Sequence, residues 1–124
     1  MKLSCHCGSV RLTVSEAPET LTSCNCSICR RYASLWGYFS PEDVQIEVRD
    51  AAISSYQWAE EYLEFNFCSH CGCLTHYLTT EKVPTPKIGV NFRMAESQTL
   101  ESIPVRKFDG ADTWKYLDKR PTKI

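Results

Sequence analysis

Eight cysteines are the residues of this sequence best suited to chemistry. They fall into three groups along the chain, which are Cys5 and Cys7, then Cys24, Cys26 and Cys29, and last Cys68, Cys71 and Cys73. Closely spaced thiolates can bind one metal ion, because zinc takes four ligands and lies about 2.3 Å from each sulfur. The grouping therefore predicts metal sites, with disulfides or ordinary buried cysteines as the alternative.

A structural zinc site is predicted from the first and third groups. Each group offers a chelating pair directly before a glycine, Gly8 or Gly72, and glycine allows the positive φ that tight turns often need. The two pairs together supply the four thiolates of a closed tetrahedral site. These ligands are Cys5, Cys7, Cys68 and Cys71. Such a site would join the amino-terminal segment to the middle of the chain.

The middle group, Cys24, Cys26 and Cys29, supplies three thiolates and has no evident local fourth partner. Three protein ligands and one open position are typical of a catalytic zinc. Arg30 and Arg31 follow directly, and their charges can balance the excess negative charge or bind an anionic substrate. Two alternatives stay open. The unassigned Cys73 would make both metals structural if it filled the fourth position, and an iron–sulfur cluster also suits thiolate ligands.

Other side chains near the cysteines are expected to have lesser roles. We expect His6 and His70, which lie inside the cysteine turns, to be exposed or to support the ligands, and His76 to be structural. Four aromatic residues follow the middle group, and these are Tyr32, Trp36, Tyr38 and Phe39. Aromatic strands more often belong to a core than to a pocket, so a pocket role for them is the lesser alternative.

Short alternating strands predict an all-β fold. Val10, Leu12 and Val14 alternate with polar residues, which is the pattern of a half-buried strand. Further strands are predicted at 35–39, 44–48, 53–58, 63–67, 74–78 and 88–92. Helix is expected only as a single turn that begins at Ser40-Pro41 and as a short segment over Asp109 to Leu117. The segment 79–87 is expected to be an exposed loop.

Length and charge narrow the class of protein further. The 124 residues are expected to form one zinc-binding domain over 1–124, and a net charge of −1 makes nucleic-acid binding an unfavourable reading. We interpret the basic cluster of Lys119, Arg120 and Lys123 as a solvated chain end. No signal-peptide pattern follows Lys2, and no apolar run approaches the roughly 18 residues of a membrane span. We therefore expect a cytoplasmic location and reduced cysteines.

The order of the cysteine motifs resembles the glutathione-dependent formaldehyde-activating enzyme family, which includes centromere protein V. The motifs that carry the resemblance are Cys5-His6-Cys7-Gly8, Cys24-Asn25-Cys26-Ser27-Ile28-Cys29-Arg30-Arg31, Phe67-Cys68-Ser69-His70-Cys71-Gly72 and the weaker Gly89-Val90-Asn91-Phe92-Arg93-Met94. They cover about residues 1–96, which is most of the chain.

This resemblance implies a β-tent fold with two zinc ions. It implies a structural zinc on Cys5, Cys7, Cys68 and Cys71, and a catalytic zinc on Cys24, Cys26 and Cys29. It also implies a carbon–sulfur lyase of the S-(hydroxymethyl)glutathione synthase type, whose small-molecule partners are a thiol and an aldehyde, glutathione and formaldehyde in that family. In the hypothesised mechanism the metal lowers the pKa of the incoming thiol from about 8.5. The alternative functions are a non-catalytic zinc-stapled binding module and a thiol or zinc sensor.

Overall fold

The computed structural model describes residues 1–118 and the backbone of a last short strand at Thr122–Lys123. The strands are β1 (Lys2–Ser4), β2 (Val10–Val14), β3 (Leu21–Cys24), β4 (Trp36–Phe39), β5 (Val44–Val48), β6 (Ile53–Tyr56), β7 (Leu63–Cys68), β8 (Leu74–Thr79), β9 (Ile88–Asn91), β10 (Pro104–Phe108) and β11 (Thr122–Lys123). The helices are α1 (Ser27–Tyr32) and α2 (Ser97–Ser102), and 3₁₀ turns lie at Pro41–Asp43 and Phe92–Met94. None of the helices in the described part of the chain could cross a lipid bilayer.

The strands form two sheets, which confirms the predicted all-β class. The smaller sheet has the order β1-β2-β5, and the larger has the order β11-β10-β3-β4-β9-β8-β7-β6. Neighbouring strands are antiparallel with one exception among these pairs, since β10 runs parallel to β3 and aligns Arg106 with Thr22 and Phe108 with Cys24. A parallel pair needs a long crossover, and the chain between β3 and β10 supplies one that contains most of the large sheet.

One apolar core lies between the two sheets. The inward residues of β2 are Val10, Leu12 and Val14, and none of them is more than 1% exposed. They pack in one cluster that includes Val90 of β9 and Phe92 of the 3₁₀ turn that follows β9. The period-two alternation read from the sequence places these side chains inward, because successive strand residues point to opposite faces.

The opposite face of the large sheet carries an aromatic cluster that includes Trp36, Phe65 and Tyr77. The Trp36 and Tyr77 rings meet edge to face, with 4.8 Å between their centroids. A Cβ atom at Gly89 would overlap the Tyr77 ring, so a glycine on β9 is what allows that ring to lie against the strand. The triad of Cys24, Cys26 and Cys29 belongs to this face, since its members pack in the same cluster.

Most predicted strands are present, but several elements were missed. The predicted strands correspond to β2 and β4 to β9, and the single turn expected after Ser40 is a 3₁₀ turn in which the Ser40 side chain makes no cap hydrogen bond. Sequence analysis did not predict β1, β3, β10, β11 or either helix. The loop expected at 79–87 is present and largely exposed, but it begins at residue 80 because Thr79 ends β8. The basic residues Lys119 and Arg120 and the side chain of Lys123 lie outside the described residues.

The predicted helix over Asp109 to Leu117 is wrong. This segment is a series of turns, and Tyr116 forms an isolated β-bridge with Phe108. The Asp109 carboxylate accepts hydrogen bonds from the Thr113 backbone N–H and hydroxyl, at 3.1 and 2.9 Å. An aspartate that binds nearby backbone groups competes with helical hydrogen bonding, which explains the turn.

His76 makes the stability of the fold depend on pH. Its side chain is 1% exposed, and burial lowers its pKa from 6.5 to about 4. Below pH 6.5, His76 binds a proton in the unfolded chain but stays neutral in the folded chain. The free energy of unfolding therefore decreases as the pH falls from about 6.5 towards 4. Between pH 7.5 and 5.0 we expect this residue to remove about 2 kcal/mol from the free energy of unfolding.

Urea unfolding at both pH values measures this effect, with His76→Gln as the comparison. The variant should lose about 2 kcal/mol less than the parent protein over the same interval, because glutamine does not titrate. Protonation of the thiolates is common to both proteins and cancels in the difference. Equal losses in the two proteins would show that His76 is not kept neutral by the fold.

Candidate metal centres

Four cysteines from distant parts of the chain meet between the two sheets. Cys5 and Cys7 lie in the connection of β1 to β2, and Cys68 and Cys71 lie at and just after the end of β7. All four sulfurs lie within 4.8 Å of one another and could hold a metal ion. The distance from Cys7 Sγ is 3.8 Å to Cys5 Sγ and 3.6 Å to Cys68 Sγ. A tetrahedron with metal–sulfur bonds of about 2.3 Å has edges of about 3.8 Å, so the donor set fits zinc.

Two tight turns aim these sulfurs at one point. Gly8 and Gly72 adopt φ values of +81° and +78°, in the left-handed region that disfavours residues with a Cβ. Within the turns, backbone N–H groups point at sulfur, for example from Val10 to Cys5 Sγ at 3.3 Å. A hydrogen bond from the Cys73 backbone is the main reason that the pKa of Cys71 falls to about 5. Donors of this kind stabilise thiolates, which are the form that binds metal.

The two histidines in these turns are exposed. His70 Nδ1 lies 3.2 Å from the Ser9 hydroxyl, which in turn lies 3.2 Å from Cys7 Sγ. His6 is also exposed. Neither histidine belongs to the group of four sulfurs among the described residues, which agrees with the lesser roles expected for them.

Cys73 lies beside the four-cysteine cluster and not beside the triad. Its pKa is raised, chiefly by burial and further by the neighbouring Cys71 and Cys5. It packs with the core between the sheets, whereas the triad packs with the aromatic cluster on the other face. The alternative in which Cys73 completes the middle site is therefore not what the structure forms.

The middle group forms a separate cluster of three thiols. Cys24 ends β3, Cys26 is the N-cap of α1, and Cys29 lies within α1. Their sulfurs lie within 4.8 Å of one another, and no fourth histidine, cysteine or carboxylate of the described chain joins them. Cys26 Sγ accepts a hydrogen bond from the Cys29 backbone N–H at 3.4 Å. The arrangement fits a metal ion with three protein thiolates and one further position.

Trp36 connects this triad to the aromatic cluster. Its indole Nε1–H donates to Cys29 Sγ at 3.4 Å, and the Trp36 side chain is only 1% exposed. The hydrogen bond from the Cys29 thiol is the largest cause that lowers the pKa of Cys24, to about 6, while the same bond and burial raise the pKa of Cys29. One thiolate is thus favoured in the triad even before a metal ion adds its own charge.

The aromatic residues expected near the triad have different positions. Trp36 is core, Tyr32 packs against the same cluster, and Tyr38 is 41% exposed. Phe39 points to the opposite face, where its ring stacks on Phe92 with 6.2 Å between centroids. Only part of the predicted aromatic set therefore lies on the triad's face of the sheet.

Polar and charged groups also lie near the triad. The Thr22 hydroxyl lies 2.9 Å from the Tyr116 hydroxyl, and the Arg106 guanidinium stacks 3.8 Å from the centre of the Tyr116 ring. Arg30 and Arg31 are exposed at the last turn of α1, and the Arg31 guanidinium donates to the Ser27 carbonyl at 2.7 Å. Both arginine side chains are thus available to solvent on the helix that carries Cys29.

Sequence reasoning missed three residues that contact the triad segment. Asn25 lies between two of the cysteines, and its amide donates to the Asp109 carboxylate at 2.9 Å. Gly110 lies against the Cys24 sulfur. The Asp109-Gly110 pair is a turn signal that argued against the helix predicted there. Asn25, which contacts Asp109 in the folded chain, lies 84 residues before it in the sequence, so no local sequence pattern connects these two residues.

Fold and site together define an all-β protein that carries two thiol clusters of metal-ligand geometry, one with four members and one with three. Residues 1–105 match the family model described as glutathione-dependent formaldehyde-activating enzyme. The chain belongs to this family.

Two similar proteins extend this comparison. A curated protein of Halomonas elongata, named "Putative glutathione-dependent formaldehyde-activating enzyme", is 39% identical over an alignment of 77 residues that covers 55% of this chain and 49% of that protein. The match thus spans about half the length of the curated relative. The crystal structure of a Rhodobacter sphaeroides protein, a structural genomics target, matches with a TM-score of 0.68 and 25% identity over 85% of this chain and 99% of that one.

Proposed function

We propose that this protein is a zinc-dependent enzyme of the carbon–sulfur lyase class. In the proposed reaction it joins a small thiol of the glutathione type to an aldehyde of the formaldehyde type at Cys24, Cys26 and Cys29. The observation that carries the proposal is the different size of the two thiol clusters, one with four sulfurs and one with three. Membership of the family supports the choice of thiol and aldehyde.

In this proposal the four-cysteine cluster of Cys5, Cys7, Cys68 and Cys71 holds a structural zinc, and the triad holds the catalytic one. When bound, zinc supplies positive charge that lowers the pKa of an incoming thiol and keeps it anionic at neutral pH. In the addition, a sulfur–carbon bond forms, the carbonyl π bond breaks, and the proton lost by the thiol ends on the former carbonyl oxygen.

The residues around the triad orient the ligands and exclude water from one side. The Trp36 indole donates to Cys29 Sγ, the Cys29 backbone donates to Cys26 Sγ, and backbone groups of Cys26 and Gly110 bond to Cys24, so hydrogen bonds hold all three sulfurs. The buried aromatic cluster beneath them lowers the local dielectric, which strengthens these bonds. In the proposed reaction, holding the thiol and the aldehyde together at this site would supply the entropic part of the rate gain.

Three hydroxyl groups lie on the same face of the large sheet as Cys24. Thr22 lies two residues before Cys24 and pairs with Trp36, and Tyr38 lies two residues after Trp36. Tyr116 contacts Thr22. Although part of the Tyr38 side chain is exposed, desolvation of its hydroxyl raises its pKa above the usual value, and the phenol is protonated at neutral pH. These hydroxyls are candidate donors for the oxygen that gains charge as the thiol adds to the aldehyde.

The test combines metal content with binding of a thiol. We expect two zinc ions per chain by elemental analysis, and a cobalt-substituted protein whose absorption bands change when glutathione is added. S-Methylglutathione is the matched control, because its blocked sulfur should leave the bands unchanged. Two-dimensional exchange NMR should then show faster interconversion of formaldehyde, glutathione and S-hydroxymethylglutathione. If the protein binds two zinc ions, but glutathione changes no cobalt band and the interconversion is not faster, the enzyme proposal is excluded and a zinc-stapled binding module is favoured.

A further inference from the structure

The turn that follows β10 lies directly on the Cys24 sulfur. A Cβ atom built on Gly110 would lie 2.5 Å from Cys24 Sγ and 3.4 Å from the Cys26 Cβ. Gly110 is not among the glycines with positive φ, so it is the contact with sulfur, and not the backbone conformation, that excludes a side chain. The family match covers residues 1–105, and this turn lies outside the matched residues.

A reciprocal pair of hydrogen bonds holds the turn against the triad segment. The Asn25 side-chain amide donates to Asp109 Oδ1 at 2.9 Å, and the Ala111 backbone N–H donates to Asn25 Oδ1 at 3.0 Å. The Asn25 backbone N–H also donates to the Phe108 carbonyl at 3.2 Å. Since Asn25 lies between Cys24 and Cys26, these bonds tie two prospective metal ligands to the turn.

The turn is also fixed internally. Asp109 Oδ2 accepts from both the backbone and the hydroxyl of Thr113, and the Trp114 backbone N–H donates to the Asp109 carbonyl at 2.7 Å. Trp114 adopts a φ of +60°, which is unfavourable for a large side chain. The three hydrogen bonds to Asp109 thus fix the turn from within.

We propose that the turn from Asp109 to Lys115 is a positioning element for Cys24. Through Gly110 it fixes the Cys24 sulfur and covers that side of the triad, so an incoming thiol approaches from another side. The inference rests on the proposed metal site at the triad. It goes beyond that site because it assigns Asp109, Gly110 and Asn25 roles in setting the geometry and thiol affinity of the site.

Cobalt-substituted full-length protein tests the proposal. Gly110→Ala forces a methyl group onto the sulfur, and Asp109→Ala releases the turn without adding bulk. We expect both variants to shift the absorption bands of the triad and to weaken cobalt and glutathione binding there at least tenfold, with the four-cysteine site unchanged. Asp112→Ala, an exposed change in the same turn, should match the parent protein. A purely structural turn would lower stability without shifting the bands.

Alkylation of protein that keeps zinc on the four-cysteine cluster but lacks metal at the triad, after treatment with a mild chelator, separates this inference from the proposed function. We expect iodoacetamide to modify Cys24 at least fivefold faster in Asp109→Ala than in Asp112→Ala, as measured by peptide mass spectrometry under reducing conditions. If the parent triad binds no metal, the proposed function fails, yet a faster reaction of Cys24 still supports the covering role of the turn. Unchanged bands, unchanged affinity and unchanged alkylation in folded Asp109→Ala would overturn the inference, even if Gly110→Ala does not fold.

Discussion

Replacing Cys71 with serine is expected to lower the free energy of unfolding by at least about 5 kcal/mol. Cys71 is one of four sulfurs that connect the β1–β2 turn to the end of β7, and Cys7 and Cys68 are 61 residues apart in sequence. Structural zinc contributes about 10–16 kcal/mol of folding free energy in small zinc-binding peptides. The net stability of a protein is about 5–15 kcal/mol, so loss of one ligand should leave the chain largely unfolded.

Urea unfolding and zinc content measure this outcome, and Cys73→Ser is the matched control. Cys73 lies in the same turn and is also a thiol, but it is not a member of the four-sulfur group. We expect Cys73→Ser to keep two zinc ions and to change stability by only about 1 kcal/mol, as for an ordinary single substitution. If Cys71→Ser keeps both zinc ions and unfolds at the same urea concentration as the parent protein, the four-cysteine cluster is not a structural zinc site.

Replacing Cys26 with serine is expected to remove the second zinc and to lower kcat/KM for thiol–aldehyde addition by at least about a thousandfold, a loss of about 4 kcal/mol in transition-state stabilisation. The substitution removes one of three thiolates from the triad. It should keep the fold, because Cys26 is the N-cap of α1 and serine is among the preferred N-cap residues. The substitution therefore removes one metal ligand and leaves helix α1 in place.

Three measurements decide the outcome for Cys26→Ser. Circular dichroism and the thermal midpoint should stay close to those of the parent, elemental analysis should give one zinc ion per chain, and exchange NMR should show no catalysed interconversion. Cys71→Ser is expected to lose its fold, so the two variants separate the structural from the catalytic metal. Retained activity in Cys26→Ser with one zinc would place the chemistry outside the triad.

The two clusters differ in what holds them together. The four-cysteine cluster joins the two sheets, and backbone donors in glycine turns surround its sulfurs. The triad is built from one strand end and one short helix, and it relies on Trp36 and on the turn at Gly110 for its outer contacts. Loss of a metal should therefore unfold the protein in the first case and change only the site in the second.

Local patterns in the sequence determined much of this protein. Period-two alternation predicted β2 and β5 in the small sheet and β7 in the large one, because a strand with one buried face repeats every two residues. Cysteine spacing, together with the glycines after it, predicted which sulfurs meet, since two residues in one tight turn can reach the same ion. The proline at its first position predicted the three-residue 3₁₀ turn after Ser40, although the Ser40 side chain makes no cap hydrogen bond.

Tertiary structure alone decided how the triad is enclosed. Asn25 meets Asp109 across 84 residues, β10 returns parallel to β3, and Cys73 falls on the far side of the large sheet from the triad. Each of these contacts depends on the path of the chain through the sheets, and sequence periodicity carries no information about that path. The sequence alone therefore predicted the candidate metal ligands, whereas the residues that surround those ligands depend on the topology of the sheets.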